Sequence, residues 1–448
     1  MKRSIDKKFF LHFMVYMSIL MSVTSTWVTN VLHTPLLINQ VFTAMIYLPF
    51  ALLIFIKLVK DAKECRSILK KPIECIYYLF ALYYTMLTGY RLLNGMEIKE
   101  NLYYSVVFFG AIAFYLLIRS KKNKIPKSDF VANLVLADIF FLFYRLIYCL
   151  VGVHFIERPP VNVNITSGVV AMLTPFVGNW LINECSSKRE KVLYWLVLCG
   201  NIVTVLTTGA RAIFYLLIAI IGLLFVCSLN NKKGFLRVAS SVLAGCLIIT
   251  ILAMTNTGNV RYSIYRQTGL TINAANIFDS KVEKPSSSTE NPSGSTEKPV
   301  DPQKELAEEK KYHSDSMRKA LVQLGIDQIK LNPMFGTGDV TYEYQLGDYK
   351  AVQSSHNFLI ETLICYGAVG LLIIAALFIA LVVDTKLFAR SIWVAWKQKV
   401  VLVLTILFYF AFGFVQPIVF SPIICPLFVF SVAMCRETVL EEYVENNN

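Results

Sequence analysis

The stretch SSHNFLIETLICYGAVGLLIIAALFIALVV, residues 354–383, joins a short polar cluster to an apolar run long enough to cross a bilayer as a helix. Its polar end places a titratable imidazole, that of His356, at the mouth of the helix. Position alone leaves two interpretations open. Either Ser354 or Ser355 caps the helix and His356 lies among lipid headgroups, or His356 takes part in chemistry at the membrane surface.

The composition of the 448-residue chain excludes a soluble protein, because 56% of its residues are hydrophobic and only 16% are charged. The mean hydropathy is +0.55. Apolar runs of spanning length predict an all-α polytopic membrane protein with about twelve transmembrane helices. The predicted spans cover residues 9–33, 41–59, 72–93, 102–118, 130–155, 166–182, 192–208, 212–228, 238–255, 357–383, 400–415 and 417–434.

Lysine and arginine concentrate in alternate loops between these spans. With the N-terminal MKRSIDKK in the cytoplasm, all the loops on that side are basic: residues 60–71, 119–129, 186–191, 230–237 and 384–399. These segments and the two tails hold 25 of the 43 Lys and Arg residues, whereas the short outer loops hold only Lys99, Arg158 and Arg211. The pattern predicts a multi-pass membrane protein with both termini in the cytoplasm.

The net charge of +13 is therefore explained by topology. The basic residues are scattered over cytoplasmic loops without a nucleic-acid-binding fold, and we expect no nucleic acid as a partner. The ten cysteines include no C-x-x-C pair, which favours inert packing in the membrane over disulfides or metal binding.

A long outer loop, residues 256–355, separates the ninth and tenth spans. We thus divide the chain into membrane helices (1–255), this loop, further membrane helices (356–435) and a cytoplasmic tail (436–448). Within the loop, residues 281–304 are rich in Pro, Ser, Thr and Glu, which predicts disorder.

The rest of the loop carries patterned sequence. SDSMRKALVQLGIDQIKLNP, residues 314–333, has apolar residues at helical spacing and predicts an amphipathic helix that ends at Pro333. The following MFGTGDV brings Gly336 and Gly338 close together, which predicts a tight turn.

Several charged residues fall inside predicted spans. Asp138 and Arg145 are seven residues apart, so they lie on one helix face. They either bridge neighbouring helices or line a substrate path, for which Arg145 is placed nearer the outer surface. Arg91, near the outer end of its span, is interpreted as a snorkelling side chain.

The segment LTTGARAIFYLL leaves almost no loop between the seventh and eighth spans. Its Arg211 stands on the outer face at the start of a helix, where the helix dipole disfavours a cation. An anion such as phosphate, bound by the guanidinium and the free amides of the helix start, would resolve this conflict. A snorkelling arginine at the interface is the alternative.

Three features follow one another in the chain: TGAR, then the long outer loop with Arg318 and NPMFGTG, and then SHNFLIETLICYGAVGLL. The order of these features resembles that of the O-antigen ligase and O-antigen polymerase superfamily of bacterial envelope glycosyltransferases. The resemblance covers Leu206 to Leu372. It implies a protein of the bacterial cytoplasmic membrane that takes part in capsule, exopolysaccharide or O-antigen synthesis. The insert at 281–304 departs from the family pattern.

The resemblance also implies a reaction. A glycan linked to a polyprenyl diphosphate is transferred on the outer face to an acceptor hydroxyl by a metal-independent, inverting glycosyltransferase without a cofactor. The essential arginines of the family map onto Arg211 and Arg318, and its histidine maps onto His356. Asn357 and Glu361 complete the H-N-x-x-x-E pattern. We expect these two residues to bind substrate, together with Arg145, which is placed nearer the outer surface. Glu361 either orients polar groups or packs.

These residue types suit the reaction. Guanidinium groups can stabilise the charge that develops on a departing diphosphate. A helix start and nearby arginines both disfavour imidazolium, so His356 would stay neutral and able to accept the proton of the acceptor.

The acceptor is not readable from the sequence. The function we expect is a polysaccharide polymerase that uses a second lipid-linked repeat unit as acceptor. The alternatives are a ligase that transfers glycan to a lipid, wall or protein acceptor and, in a different class, a flippase or transporter of lipid-linked glycan, although we see no internal repeat. Expected partners are the lipid-linked oligosaccharide, membrane lipid and other polysaccharide-assembly proteins.

Overall fold

The computed structural model describes residues 52, 72–96, 98–118, 127–150, 163–255, 260–268, 302–340, 342–346, 349–385 and 396–414, and short pieces of 424–433. The elements with assigned bounds in these ranges are α1 (Pro72–Leu93), α2 (Lys99–Ile118), α3 (Lys127–Leu150), α4 (Val163–Asn183), α5 (Lys188–Thr208), α6 (Arg211–Ser228), α7 (Lys232–Thr255), α8 (Val260–Thr268), α9 (Pro302–Leu331), β1 (Tyr342–Leu346), β2 (Tyr349–Gln353), α10 (Phe358–Asp384) and α11 (Trp396–Gly413).

The helical architecture agrees with the apolar pattern of the sequence. Nine predicted spans coincide with α1 to α7, α10 and α11. Within the described residues, four of these helices are long and apolar enough to cross a membrane: α5, α6, α7 and α10. The predicted spans at 9–33 and 41–59 lie outside the described residues, and the last span is represented by helical pieces of 424–433.

Side-chain contacts show the relative direction of the helices. On α3, Asp138 accepts from Asn201 Nδ2 at 2.9 Å, and further along the same helix Arg145 Nη2 donates to the Thr207 carbonyl at 2.6 Å. Both pairs advance in the same order along α3 and α5, so these helices run parallel, as the alternation of basic loops requires. The two charged residues therefore bridge neighbouring helices and are not hydrogen-bonded to each other.

Within the long loop the structure differs from the sequence expectation in three ways. The helix α9 begins at Pro302, so residues 302–304 are helical and the disorder expected there is wrong. Proline is favourable at the first position of a helix because its missing N–H would be unpaired there. Residues 281–301 lie outside the described residues. The loop also contains the short helix α8 and the antiparallel pair β1–β2, which the sequence analysis did not predict.

The helix α10 is interrupted at Gly367, which has φ 64° and ψ −173°. A Cβ atom here would overlap the backbone of Met334 and Phe335, because the loop after α9 passes directly against the break. The close contact is thus with loop backbone and not with a neighbouring helix. Gly370, by contrast, lies against the Tyr83 ring of α1, as close helix packing requires.

The interruption leaves carbonyl groups on α10 without their helical partners, and other elements supply donors. Gly338 N donates to the Ile364 carbonyl at 2.9 Å, and Arg91 Nη2 donates to the Cys365 carbonyl at 2.6 Å. The Tyr83 hydroxyl donates to the Tyr366 carbonyl. On the other side of the break, Ala368 N donates to the Pro333 carbonyl at 2.9 Å and Val369 N donates to the Met334 carbonyl at 3.3 Å. Loop backbone and two side chains of α1 therefore replace the hydrogen bonds that the helix loses.

Two features prepare the loop for this insertion. Gly336 has φ 70°, and a Cβ atom there would overlap the Ile364 carbonyl, so only glycine fits. Gly336 N donates to the Asn332 carbonyl at 2.8 Å, which closes the expected tight turn.

Arg91 fastens this loop to α10. Its side chain is 0% exposed, and besides Cys365 its Nη2 donates to the Phe335 carbonyl at 3.1 Å. The expectation of a snorkelling Arg91 is therefore wrong. A cation is favourable here because the carbonyl end of a helix segment carries partial negative charge.

Replacing Gly367 with Ala tests the insertion. Alanine at positive φ and in contact with loop backbone should destabilise the protein by at least about 2 kcal/mol. It should also increase protease cleavage in residues 332–340, measured on purified protein alongside its melting temperature. Gly222→Ala on α6 is the control, because nothing lies within 4 Å of a Cβ there. Equal melting and cleavage of the two variants would contradict the insertion.

The Asp138 cluster gives a second test. Asn201 Nδ2 donates to Asp138 and to Thr174 Oγ1, while Asp138 Oδ1 and Asn201 Oδ1 are buried without hydrogen-bond partners in the described part of the chain. Asp138→Asn adds a donor to this cluster, so its melting temperature should equal or exceed that of the wild type. Asp138→Ala removes one of the two acceptors of Asn201 Nδ2 and should cost about 1–3 kcal/mol. A melting temperature of Asp138→Asn as low as that of the alanine variant would contradict this account.

Candidate functional site

His356 stands immediately before α10 in a strained conformation. Its φ is 52°, and it is the only non-glycine residue with positive φ among the described residues. Such conformations are uncommon outside glycine and often occur at functional sites. The next residue, Asn357, is the N-cap, and its Oδ1 accepts from Leu359 N at 3.0 Å and Ile360 N at 3.3 Å. The capping role expected for Ser354 or Ser355 thus belongs to Asn357.

Ser355 and Glu361 are buried polar residues on either side of His356 in the sequence. Both are almost fully enclosed, at 2% and 0% exposure. The Ser355 hydroxyl donates to the Asn357 carbonyl at 3.4 Å and to Glu361 Oε1 at 3.5 Å. These contacts tie the cap to the first turn of α10 and fix the direction in which the chain presents His356.

Arg318 of α9 acts electrostatically on His356. The helix α9 packs against α10 and contributes the buried Leu321 to the core. Burial lowers the pKa of His356 below its ordinary value, and the positive charge of Arg318 lowers it further. The imidazole is therefore neutral near pH 7, which is the state that can accept a proton.

Arg211 is placed by a tight turn between α5 and α6. The turn passes through Gly209 and Ala210, and Ala210 is an N-cap without a side-chain cap hydrogen bond. Arg145 reaches the same turn from α3, where its Nε donates to Thr207 Oγ1 at 3.3 Å in addition to the bond with the Thr207 carbonyl. In this structure Arg145 therefore holds the turn that carries Arg211.

The short helix α8 is docked on this turn. Ser263 Oγ donates to the Thr207 carbonyl at 3.0 Å, and Gln267 Nε2 donates to the Val205 carbonyl at 2.8 Å. The helix α8 also packs against α9, the helix that carries Arg318. The element that sequence reasoning missed thus connects the Arg211 turn to the helix of Arg318.

The sequence-predicted residues accordingly fall into two groups. His356, Arg318, Asn357 and Glu361 gather around the mouth of α10, while Arg211 and Arg145 gather around the turn before α6. The nine residues of α8 carried a weak signal, since only Val260 and Ile264 mark its apolar face. Its polar residues are used in hydrogen bonds that no periodicity reveals.

One comparison with known proteins bears on this site. Residues 195–375 match the family model described as O-Antigen ligase. The matched segment contains Arg211, Arg318 and His356, and its bounds lie close to those of the resemblance found by sequence analysis. No curated protein matches the chain.

The interaction of His356 with Arg318 predicts a specific pH dependence. If neutral imidazole is the active form, activity should fall as the pH drops through the lowered pKa of His356. Arg318→Gln removes one cause of that lowering, so the pKa should rise and the acidic limb of the pH profile should move to higher pH, together with a loss of activity of about 100-fold.

Arg318→Lys keeps the charge and is the control, with an acidic limb near that of the wild type. The measurement is the rate of glycan transfer as a function of pH for the three proteins. An acidic limb that does not move in Arg318→Gln would show that Arg318 does not control the protonation of His356.

Proposed function

Because residues 195–375 match the family model described as O-Antigen ligase, a family that acts on lipid-linked polysaccharide, we propose that the chain is a polysaccharide polymerase of the O-antigen ligase and polymerase superfamily. Its donor is a glycan linked to a polyprenyl diphosphate, and its acceptor is a hydroxyl of another lipid-linked repeat unit at the outer face of the cytoplasmic membrane.

The observation that carries this proposal is the environment of His356, half-buried at the mouth of α10 and subject to the positive charge of Arg318. A general base must be unprotonated near neutral pH and must face its substrate. In the reaction, His356 removes the proton of the acceptor hydroxyl as the oxygen attacks the anomeric carbon. The bond between that carbon and the diphosphate breaks, its electron pair leaves with the lipid diphosphate, and the anomeric configuration inverts.

Arg318 and Arg211 have complementary parts in this step. Bond cleavage adds negative charge to the diphosphate, and guanidinium groups stabilise that charge where it develops. The uncapped amides at the start of α6, beside Arg211, provide further donors for a phosphate oxygen. After transfer, the charge of Arg318 favours release of the proton from His356, which restores the base.

The broken helix α10 is a feature that transporters also use. In transporters the unwound backbone lines a cavity and binds the substrate or ion. Here the carbonyls of Ile364, Cys365 and Tyr366 already accept from protein donors, and the amides of Ala368 and Val369 are bonded to the loop. The break is filled by protein, which favours a transferase over a flippase.

The test is the surface glycan of cells that lack the protein, complemented with wild type or with Arg211→Ala, Arg318→Ala or His356→Ala. Each variant should lose at least about 100-fold in polymer yield, and single lipid-linked repeats should accumulate on the outer face. Lys319→Ala is the matched control for Arg318→Ala, since Lys319 is exposed on the same helix and should tolerate the change.

The intermediates distinguish the alternatives. Long chains stranded on lipid would indicate a ligase with the same donor chemistry. Repeats trapped on the inner face would indicate a flippase, and wild-type polymer from His356→Ala would refute the assigned base.

A further inference from the structure

Three arginines near the site are bound to the carbonyl ends of helices. Arg145 donates to Thr207 in the last turn of α5, and Arg91 donates to Cys365 before the break in α10. Arg261 of α8 donates to the carbonyls of Ala253 and Met254 at the end of α7, at 2.6 and 2.8 Å. These carbonyl groups lie at the carbonyl ends of helical segments, so each arginine stabilises a helix end.

Arg266 differs from all three. It lies on the same nine-residue helix as Arg261, but its side chain is exposed and makes no hydrogen bond or ion pair within the described part of the chain. Its Cδ atom lies 3.5 Å from the position a Cβ atom would take on Gly209. The arginine stem therefore crosses the turn that leads into α6, two residues before Arg211.

This position concentrates positive charge at the wrong end of a helix. Cations are favourable at carbonyl ends, whereas the N-terminal end of α6 carries partial positive charge of its own. Arg266 is nevertheless held over this end, because Ser263 and Gln267 on the same helix bond to Thr207 and Val205. An arrangement of cations around a helix start becomes favourable when an anion binds there.

The location of α8 indicates which kind of anion would bind at the start of α6. Because α8 contacts α5 and α6, which flank the Arg211 turn, and also contacts α9, Arg266 lies on the element that joins the Arg211 turn to the helix of Arg318. A ligand that engages both of those arginines extends between elements that α8 contacts, and a diphosphate offers two linked phosphate groups. We propose that Arg266 is a third diphosphate-binding arginine, which contacts the phosphate held at the start of α6. This inference rests on the function proposed above.

The third arginine should affect the binding of a lipid diphosphate more than the binding of a lipid monophosphate. Each phosphate of the donor carries negative charge before the reaction, and cleavage adds another. Arg266 would bind the diphosphate both before and after cleavage, so its main effect is on affinity for the donor and for the lipid diphosphate product. It should contribute less to binding a lipid that carries a single phosphate, which cannot occupy the Arg211 and Arg318 positions together.

The experiment measures binding of undecaprenyl diphosphate and undecaprenyl monophosphate to the full-length protein in nanodiscs. Arg266→Ala should weaken diphosphate binding by about tenfold and monophosphate binding by a smaller factor. Arg266→Lys retains charge without the bidentate geometry and should fall between wild type and the alanine variant. Lys330→Ala is the control for loss of one exposed positive charge from the same loop, since Lys330 pairs only with Asp327 in the described residues.

The outcomes separate this inference from the proposed function. If Arg211→Ala and Arg318→Ala weaken diphosphate binding but Arg266→Ala binds within twofold of wild type, the inference is refuted and the proposed function stands. An equal loss in Arg266→Ala and Lys330→Ala would also refute it, since general attraction would then explain the effect. If none of the arginine variants changes binding, the diphosphate site itself is refuted.

Discussion

The insertion of loop backbone into the broken helix α10 is the interaction on which the outer half of the structure depends. In an apolar environment every interrupted helical hydrogen bond needs another partner. The segment after α9 supplies these partners through Gly338 N and the carbonyls of Pro333 and Met334, and Arg91 and Tyr83 complete them from α1. The exchange fixes α9 against α10 and so holds Arg318 beside His356.

Arginine serves two purposes in this fold, and the surroundings distinguish them. Arg91, Arg145 and Arg261 are bonded to carbonyls at the ends of helical segments, where their positive charge is stabilising. Arg211 stands at the opposite end of a helix, and Arg318 lies beside a neutral imidazole. The first group stabilises the scaffold, and the second, under the function proposed above, provides the positive charge that a departing diphosphate requires.

Much of the candidate site was accessible from sequence, because its residues occupy short motifs with distinct chemistry. His356, Asn357 and Glu361 are close in the chain, and all three lie at the mouth of α10 as expected. The interpretation of Arg91 as a snorkelling side chain was wrong for a physical reason. The sequence near a helix end does not show whether a charged side chain reaches lipid headgroups or the carbonyls of a distant segment. The position of Arg266 beside the Gly209 turn was equally hidden, because α8 is short and its docking uses polar side chains.

By itself, the sequence determined the properties that are local in the chain. These are the apolar helices, the alternation of basic loops and the glycines of the tight turn, since hydrophobic length, charge and backbone conformation act over a few residues. Only the tertiary structure decided which backbone groups complete the break at Gly367, which arginines are occupied by helix ends, and which residue caps α10. Those outcomes depend on hydrogen bonds between residues up to 283 positions apart, and no local pattern encodes such pairings.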